Sequence, residues 1–417
     1  MTTTVTAFPT NLIPSSASRS GDDPIFALNA EAQRRAKAGE SVINATLGAL
    51  MEDDGTLAVM PSVIDAFQRV PLKKAASYAP IAGDAEFLRA VIQDLYGEGP
   101  LAEQSVAVAT PGGTGALHHA VTNFLEPGQA LLTTSFFWGP YSTIAQETRR
   151  AVETFPMFDA KGRFHVQAFE DALVRQMKKQ GRALVFLNSP CHNPTGYSLD
   201  EAEWSAVAES VRRAAELGPV AFLVDLAYAR FGSRASQNWV KHVARMVDPA
   251  VVLVAWSASK SFAQYGSRVG ALVATHPDRP ERERIANALA FSCRGTWSNC
   301  NHLGLLAITG LLAEPAQRAK ADAERARLIA LLDERVSAFN REATAAKLAY
   351  PRYEGGFFVS VFTPDAKTTA QTMRDEGVFV VPLDGAVRIA LCSTPVKEIP
   401  RLVAALARGV AAARARV

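Results

Sequence analysis

The chain has 417 residues, 48% of them hydrophobic and 20% charged, the make-up of an ordinary globular protein long enough for more than one core. Its 44 basic and 41 acidic residues leave a net charge of +3, and the basic ones are dispersed, which argues against a nucleic-acid partner. Apolar runs such as Ala250 to Trp256 fall well short of the roughly 20 residues that span a bilayer, so no membrane segment is expected. Cysteines at 191, 293, 300 and 392 lack metal-site spacing and point to reduced thiols in a cytoplasmic protein without a metal centre.

Residues 1–21 lack a basic stretch followed by an apolar core, and read as a flexible arm rather than a secretory signal. Asp23 then stands where it can cap a helix beginning Pro24-Ile25-Phe26, since Asp accepts orphan N–H bonds and Pro tolerates the first turn. From Ser105 onward short apolar runs alternate with helical patterns: SVAVAT, ALLTTS, AVETF, ALVFLN, VAFLVD, VVLVAWS and VGALVAT. Such runs are buried on both faces, and their alternation with helices predicts an α/β fold with a mostly parallel seven-stranded sheet. Open sheets of this kind bind ligands at the carboxyl ends of their strands.

Beyond residue 310 one helical segment, LLAEPAQRAKADAERARLIALLDERVSAFN, leads into GGFFVSVF, a further helical stretch, VFVVPL and VRIALC. These predict a second, smaller α/β domain completed by the N-terminal segment. The expected division is an arm over 1–21, the N-terminal part of the small domain over 22–57, a large domain over 58–310, and the rest of the small domain over 311–417. The basic stretch Ala407 to Arg416 continues a helix whose apolar stripe is Leu402, Ala405, Leu406 and Val410, so a packed terminal helix is expected.

Four strand ends carry residues with chemistry. After SVAVAT comes Pro111-Gly112-Gly113-Thr114-Gly115, a turn that lets backbone N–H groups approach a phosphate at a helix N-terminus; a plain tight turn reads equally well. After ALVFLN comes Ser189-Pro190-Cys191-His192-Asn193-Pro194-Thr195-Gly196, where the Asn193 amide can donate to a ligand oxygen. Asp225 closes VAFLVD, with Tyr228 three residues on, and a carboxylate there is costly unless it faces a cation or a protonated group. Lys260, in Trp256-Ser257-Ala258-Ser259-Lys260, follows a buried strand directly. Desolvation lowers the pKa of such an amine, as Schiff-base chemistry requires.

In this order the strand-end residues resemble the aspartate and aromatic aminotransferases, class I members of the fold-type I pyridoxal-phosphate-dependent enzymes. The likeness runs from Asp23-Pro24-Ile25 nearly to the C-terminus and includes LGALMEDDG, SYAPIAGDAEF and CRGTWSN. It implies that pyridoxal 5′-phosphate is held by Lys260 as a Schiff base, with Asp225 on the pyridine nitrogen. Asn193 and Tyr228 are implied at the phenolic oxygen, and Trp138 against the ring. Gly113, Thr114, Ser257 and Arg268 are implied at the phosphate, reached also by Tyr78 of a neighbouring subunit. Arg388 is implied at the substrate α-carboxylate and Arg294 at a distal carboxylate across the interface, with Gly48, Asn193 and Trp138 also lining the substrate site. A homodimer with shared sites follows, transferring an amino group from aspartate, an aromatic or a related amino acid to a 2-oxo acid such as 2-oxoglutarate. A β-eliminase or lyase on the same fold is the alternative. A cofactor-sensing regulator is disfavoured, because the N-terminal arm leaves no room for a DNA-binding domain.

Two departures stand out. Aspartate-specific members carry histidines near the ring-nitrogen carboxylate where this chain has Tyr141 and Asn188, and the two prolines usual after TWSN are Cys300 and Asn301.

Overall fold

The computed structural model describes residues 10–19, 21 and 24–416. Asp23, the expected cap, lies outside them, as do residues 1–9 of the expected arm; the helix expected to follow spans Pro24–Lys37. After it come β1 (Ile43–Asn44) and four helices over residues 61–103, and then the first strand of the large sheet.

That sheet has seven strands: β2 (Ser105–Pro111), β3 (Ala130–Thr134), β4 (Ala151–Phe155), β5 (Ala183–Asn188), β6 (Val220–Asp225), β7 (Val251–Ser257) and β8 (Val269–Thr275). Their spatial order is β2-β8-β7-β6-β5-β3-β4. All neighbours are parallel except β8, which runs antiparallel to β2 and to β7. Every residue of β5, β6 and β8 is buried, which is why these strands read as continuous apolar runs. Side chains still alternate: Phe222 and Val224 enter the core on one face, Ala221 and Leu223 the core on the other.

The register brings the strand ends together. Asn188 of β5 pairs with Asp225 of β6, and Asp225 with Ala255 of β7, so the segments that follow β5, β6 and β7 emerge along one edge. At the far side of β7, the antiparallel β8 sets Gly270 beside Thr110 and Val269 beside Pro111, which delivers the glycine-rich turn to the same edge.

A second group of strands comprises β9 (Phe358–Phe362), β10 (Val378–Phe379), β11 (Val381–Leu383) and β12 (Ala386–Ala390). The order β11-β12-β9 forms an antiparallel sheet, while β10 pairs in parallel with β1 from the start of the chain. The helical run after residue 310 is two helices, His302–Ala313 and Pro315–Ala345, rather than one. Pro315 lacks the N–H that a helix interior needs and sits at the first turn of the second helix, so the break falls at Glu314. The terminal helix, Ile399–Arg414, buries Leu402, Ala405, Leu406 and Val410 and packs on the helix Ala366–Asp375. Among the described residues no helix is long and apolar enough to cross a membrane.

Candidate active site

At the edge where the strands end lies a cavity of about 210 Å³. The expected residues Gly113, Thr114, Trp138, Asn193, Asp225, Tyr228, Ser257, Lys260 and Arg268 all line it. Asn188, which the resemblance sets near the ring-nitrogen carboxylate, lines it too, as do Leu117, Ala227 and Ser259, which were not singled out from sequence. Ser259 was within reach, as a second small hydroxyl beside the lysine in Ser257-Ala258-Ser259-Lys260; Leu117 and Ala227 carry no chemical signal.

One wall is suited to an anion. The helix Gly112–Phe124 begins here, with its first N–H groups at its N-terminal end. Gly112 has φ +67°, and a Cβ built on it would lie 2.5 Å from Arg268 Nη2, so glycine leaves the space the guanidinium occupies. Arg268 Nη1 donates to the Tyr265 carbonyl at 2.9 Å and to Ser259 Oγ at 3.2 Å. Ser257 Oγ accepts from the Ser259 N–H at 3.1 Å, capping the short helix Ala258–Ser261 that carries Lys260.

The same cavity holds the titratable groups. Asp225 is 6% exposed; its Oδ2 accepts from the Tyr141 hydroxyl at 2.7 Å and its Oδ1 from the Ala227 N–H at 3.0 Å. Asn188 spans the strand ends, with Nδ2 donating to the Asp225 carbonyl at 2.8 Å and Oδ1 accepting from the Asn193 N–H at 2.6 Å. Burial raises the Asp225 carboxyl above its ordinary range, against the pull of Tyr141, Ala227 and Lys260. The same burial lowers the Lys260 amine; Asp225 opposes that and Arg268 adds to it. Lys260 Nζ stands 5.2 Å from the Tyr228 ring centroid. Burial also keeps the Tyr228 hydroxyl protonated. Asn193 Nδ2 donates to that hydroxyl at 3.3 Å, while its Oδ1 is buried without a hydrogen-bond partner among the described residues.

Arg388, on β12, is buried beside the N-terminal segment. Its Nη2 donates to the Thr46 carbonyl at 2.7 Å, and its guanidinium lies 4.5 Å over the Phe358 ring. Gly48 faces the same ring; a Cβ there would come within 2.6 Å of Phe358 Cζ. The Leu50 N–H donates to the Tyr265 hydroxyl at 2.9 Å, tying this segment to the loop after Lys260. Phe358 was not expected from the sequence, where it is one of two adjacent phenylalanines in GGFFVSVF. Tyr78 and Arg294 are not brought to the cavity of the single chain: Tyr78 is 89% exposed, and Arg294, also exposed, donates to Ser298 Oγ at 2.6 Å.

Fold and cavity define a class first: an α/β protein with its ligand site at the carboxyl ends of the sheet strands, where a lysine and a buried carboxylate meet. The chain belongs to the family described as aminotransferase class I and II, which it matches over residues 40–406. A tyrosine aminotransferase from Klebsiella pneumoniae is 28% identical over 400 residues, covering 92% of this chain and 97% of that one. The crystal structure of an aminotransferase from Anaerococcus prevotii has a TM-score of 0.91 and 31% identity, covering 96% of this chain and 100% of that one. An aromatic-amino-acid aminotransferase from Burkholderia pseudomallei, covalently bound to pyridoxal phosphate, has a TM-score of 0.80 and 26% identity, covering 96% of this chain and 100% of that one. The protein is thus an aminotransferase dependent on pyridoxal phosphate.

Proposed function

We propose that this enzyme moves the amino group of an aspartate-like or aromatic amino acid to a 2-oxo acid, with 2-oxoglutarate as acceptor and Lys260 as the covalent anchor of the cofactor. The observation that carries the reading is the meeting of a lysine amine and a buried carboxylate in one cavity that is also lined by Gly113 and Thr114 at a helix N-terminus, by Ser257 and by Arg268.

Two further features suit pyridoxal 5′-phosphate. Turning the Asn193 amide by 180° lets the Tyr228 hydroxyl donate to Oδ1 and presents the NH₂ to a ligand oxygen, which satisfies both ends. The space over Gly112 keeps the Arg268 guanidinium at the N-terminus of the helix, where a phosphate is stabilised. When bound, the cofactor supplies an electron sink for negative charge at the substrate Cα.

Each residue then has a task. Asp225 holds a proton on the ring nitrogen, Asn193 and Tyr228 orient the phenolic oxygen, and Trp138 covers the ring face. Once the substrate amine has taken its place on the cofactor, the Lys260 amine, lowered by burial, would be free as a base to take the proton from the substrate Cα. Arg388 clamps the α-carboxylate with its planar fork. Tyr78 and Arg294, exposed in the single chain, serve the cavity of a second copy in a homodimer, Tyr78 at the phosphate and Arg294 at a distal carboxylate.

Mixing the pyridoxal form with single amino acids and following its absorption tests the reading. Conversion to the pyridoxamine form with aspartate or an aromatic donor, and reversal by 2-oxoglutarate, is expected. Reversal by monocarboxylic 2-oxo acids alone would contradict the acceptor.

A further inference from the structure

Tyr141 takes no part in the roles above, yet it touches the group on which they turn. Its hydroxyl donates to Asp225 Oδ2 at 2.7 Å, and the residue is 1% exposed. The ring is fixed edge-on against Phe186 of β5, at 5.2 Å and 80°, and against Trp138, at 5.9 Å and 88°. The hydroxyl therefore cannot swing away without disturbing the core. The titratable groups facing Asp225 are Tyr141, Tyr228 and Lys260; no guanidinium or imidazole pairs with it among the described residues.

We propose that Tyr141 is a positioning residue that keeps Asp225 ionised, and so keeps a proton on the ring nitrogen of bound pyridoxal phosphate, through a hydrogen bond that does not switch with pH. The inference rests on the reading of Asp225 given above. A carboxylate this buried is drawn toward its neutral acid, and a hydrogen bond to the anion opposes that by about one to two decades in proton affinity. Without it the proton shared between ring nitrogen and Oδ moves toward Asp225. The total charge is unchanged, but the ring nitrogen becomes neutral and the electron sink weaker. An imidazole in this place would gain and lose a proton near neutral pH. The Tyr141 phenol is held well above its ordinary range by burial and by Asp225, so it stays a donor throughout.

The test is ¹⁵N NMR of the holoenzyme reconstituted with cofactor labelled at the ring nitrogen, comparing wild type, Tyr141→Phe and Asp225→Asn. Mono- and difluorotyrosine at position 141 add a graded series of stronger donors. In Tyr141→Phe the signal is expected to move toward neutral pyridine. Its kcat is expected to fall about ten- to hundredfold while KM for the amino donor changes less than about threefold. Along the fluorotyrosine series the signal should move the opposite way, in order of acidity; should Tyr141→Phe not fold, this series decides alone. A signal flat across Tyr141→Phe and the series, with Asp225→Asn still moving it, overturns the role of Tyr141. A signal that Asp225→Asn also leaves in place overturns the reading of Asp225 itself.

Discussion

Replacing Arg388 by alanine removes a guanidinium that is 6% exposed, stacked 4.5 Å over Phe358 and tied to the Thr46 carbonyl at 2.7 Å. A planar fork held in this way suits an α-carboxylate, and if Arg388 clamps it as proposed, the substitution removes two charge-assisted hydrogen bonds of about 1.5–3 kcal/mol each. The sum is about 3–6 kcal/mol, or roughly two to four decades in kcat/KM. Every amino and oxo acid carries the α-carboxylate, so aspartate and an aromatic donor should suffer alike. Arg388→Lys keeps the charge but loses the bidentate geometry and the flat stacking, and should recover only part of the loss. The substitution also leaves the Thr46 carbonyl without this donor, at about 1–3 kcal/mol of stability, so urea denaturation must be run beside the kinetics and assays kept where the variant is folded. A fall below tenfold, or one confined to a single substrate class, would refute the assignment.

Arg294→Ala should cost dicarboxylic substrates about one to two decades in kcat/KM and spare aromatic ones; equal losses for both classes would mark Arg294 as an interface residue only. Gly112→Ala places a side chain at φ +67° and 2.5 Å from Arg268 Nη2, so equilibrium dialysis should show cofactor binding weakened by about tenfold or more. Unchanged affinity would separate Arg268 from the phosphate. The Asp94 side chain is 4% exposed and accepts from Arg230 at 2.7 Å, Arg318 at 2.6 Å and the Trp256 indole at 2.9 Å. Burial pushes its carboxyl up, but the two guanidiniums and the indole outweigh that and hold it below the ordinary range. Its contribution is therefore complete above about pH 4, its unfolded value, and fades as pH falls through the lowered folded one. Asp94→Asn should lose about 2–3 kcal/mol at pH 7, less than a fully buried pair because both arginines reach solvent. A loss that persists undiminished at pH 2 would contradict the ion-pair account.

The strands and the strand-end residues were legible because their cause is local. A strand buried on both faces must be apolar throughout, so VAFLVD and VVLVAWS announce themselves, and the polar residue that ends each one stands out against them. Lys260 and Asp225 could be read in this way. What could not be read depends on packing between distant segments. Tyr141 and Asp225 are 84 residues apart: the family resemblance alone sets Tyr141 near that carboxylate, and neither spacing nor any local pattern gives the hydrogen bond between them. Arg388 meets the Thr46 carbonyl across 342 residues, because β1 crosses over to pair with β10. The break at Glu314 shows a different limit: helical periodicity continued on both sides, and only the backbone chemistry of Pro315 divides it. Tyr78 and Arg294 fall outside the single-chain cavity altogether, so their roles depend on a surface that no spacing within one chain describes.

The account turns on Lys260 as the residue that bears the cofactor, and the direct measurement is borohydride reduction of the holoenzyme followed by peptide mass spectrometry. The predicted result is one reduced cofactor adduct, on the peptide containing Ser257-Ala258-Ser259-Lys260, absent from Lys260→Ala, which should remain folded but inactive. Recovery of the adduct on any other lysine, or turnover by Lys260→Ala close to that of the parent, would contradict it.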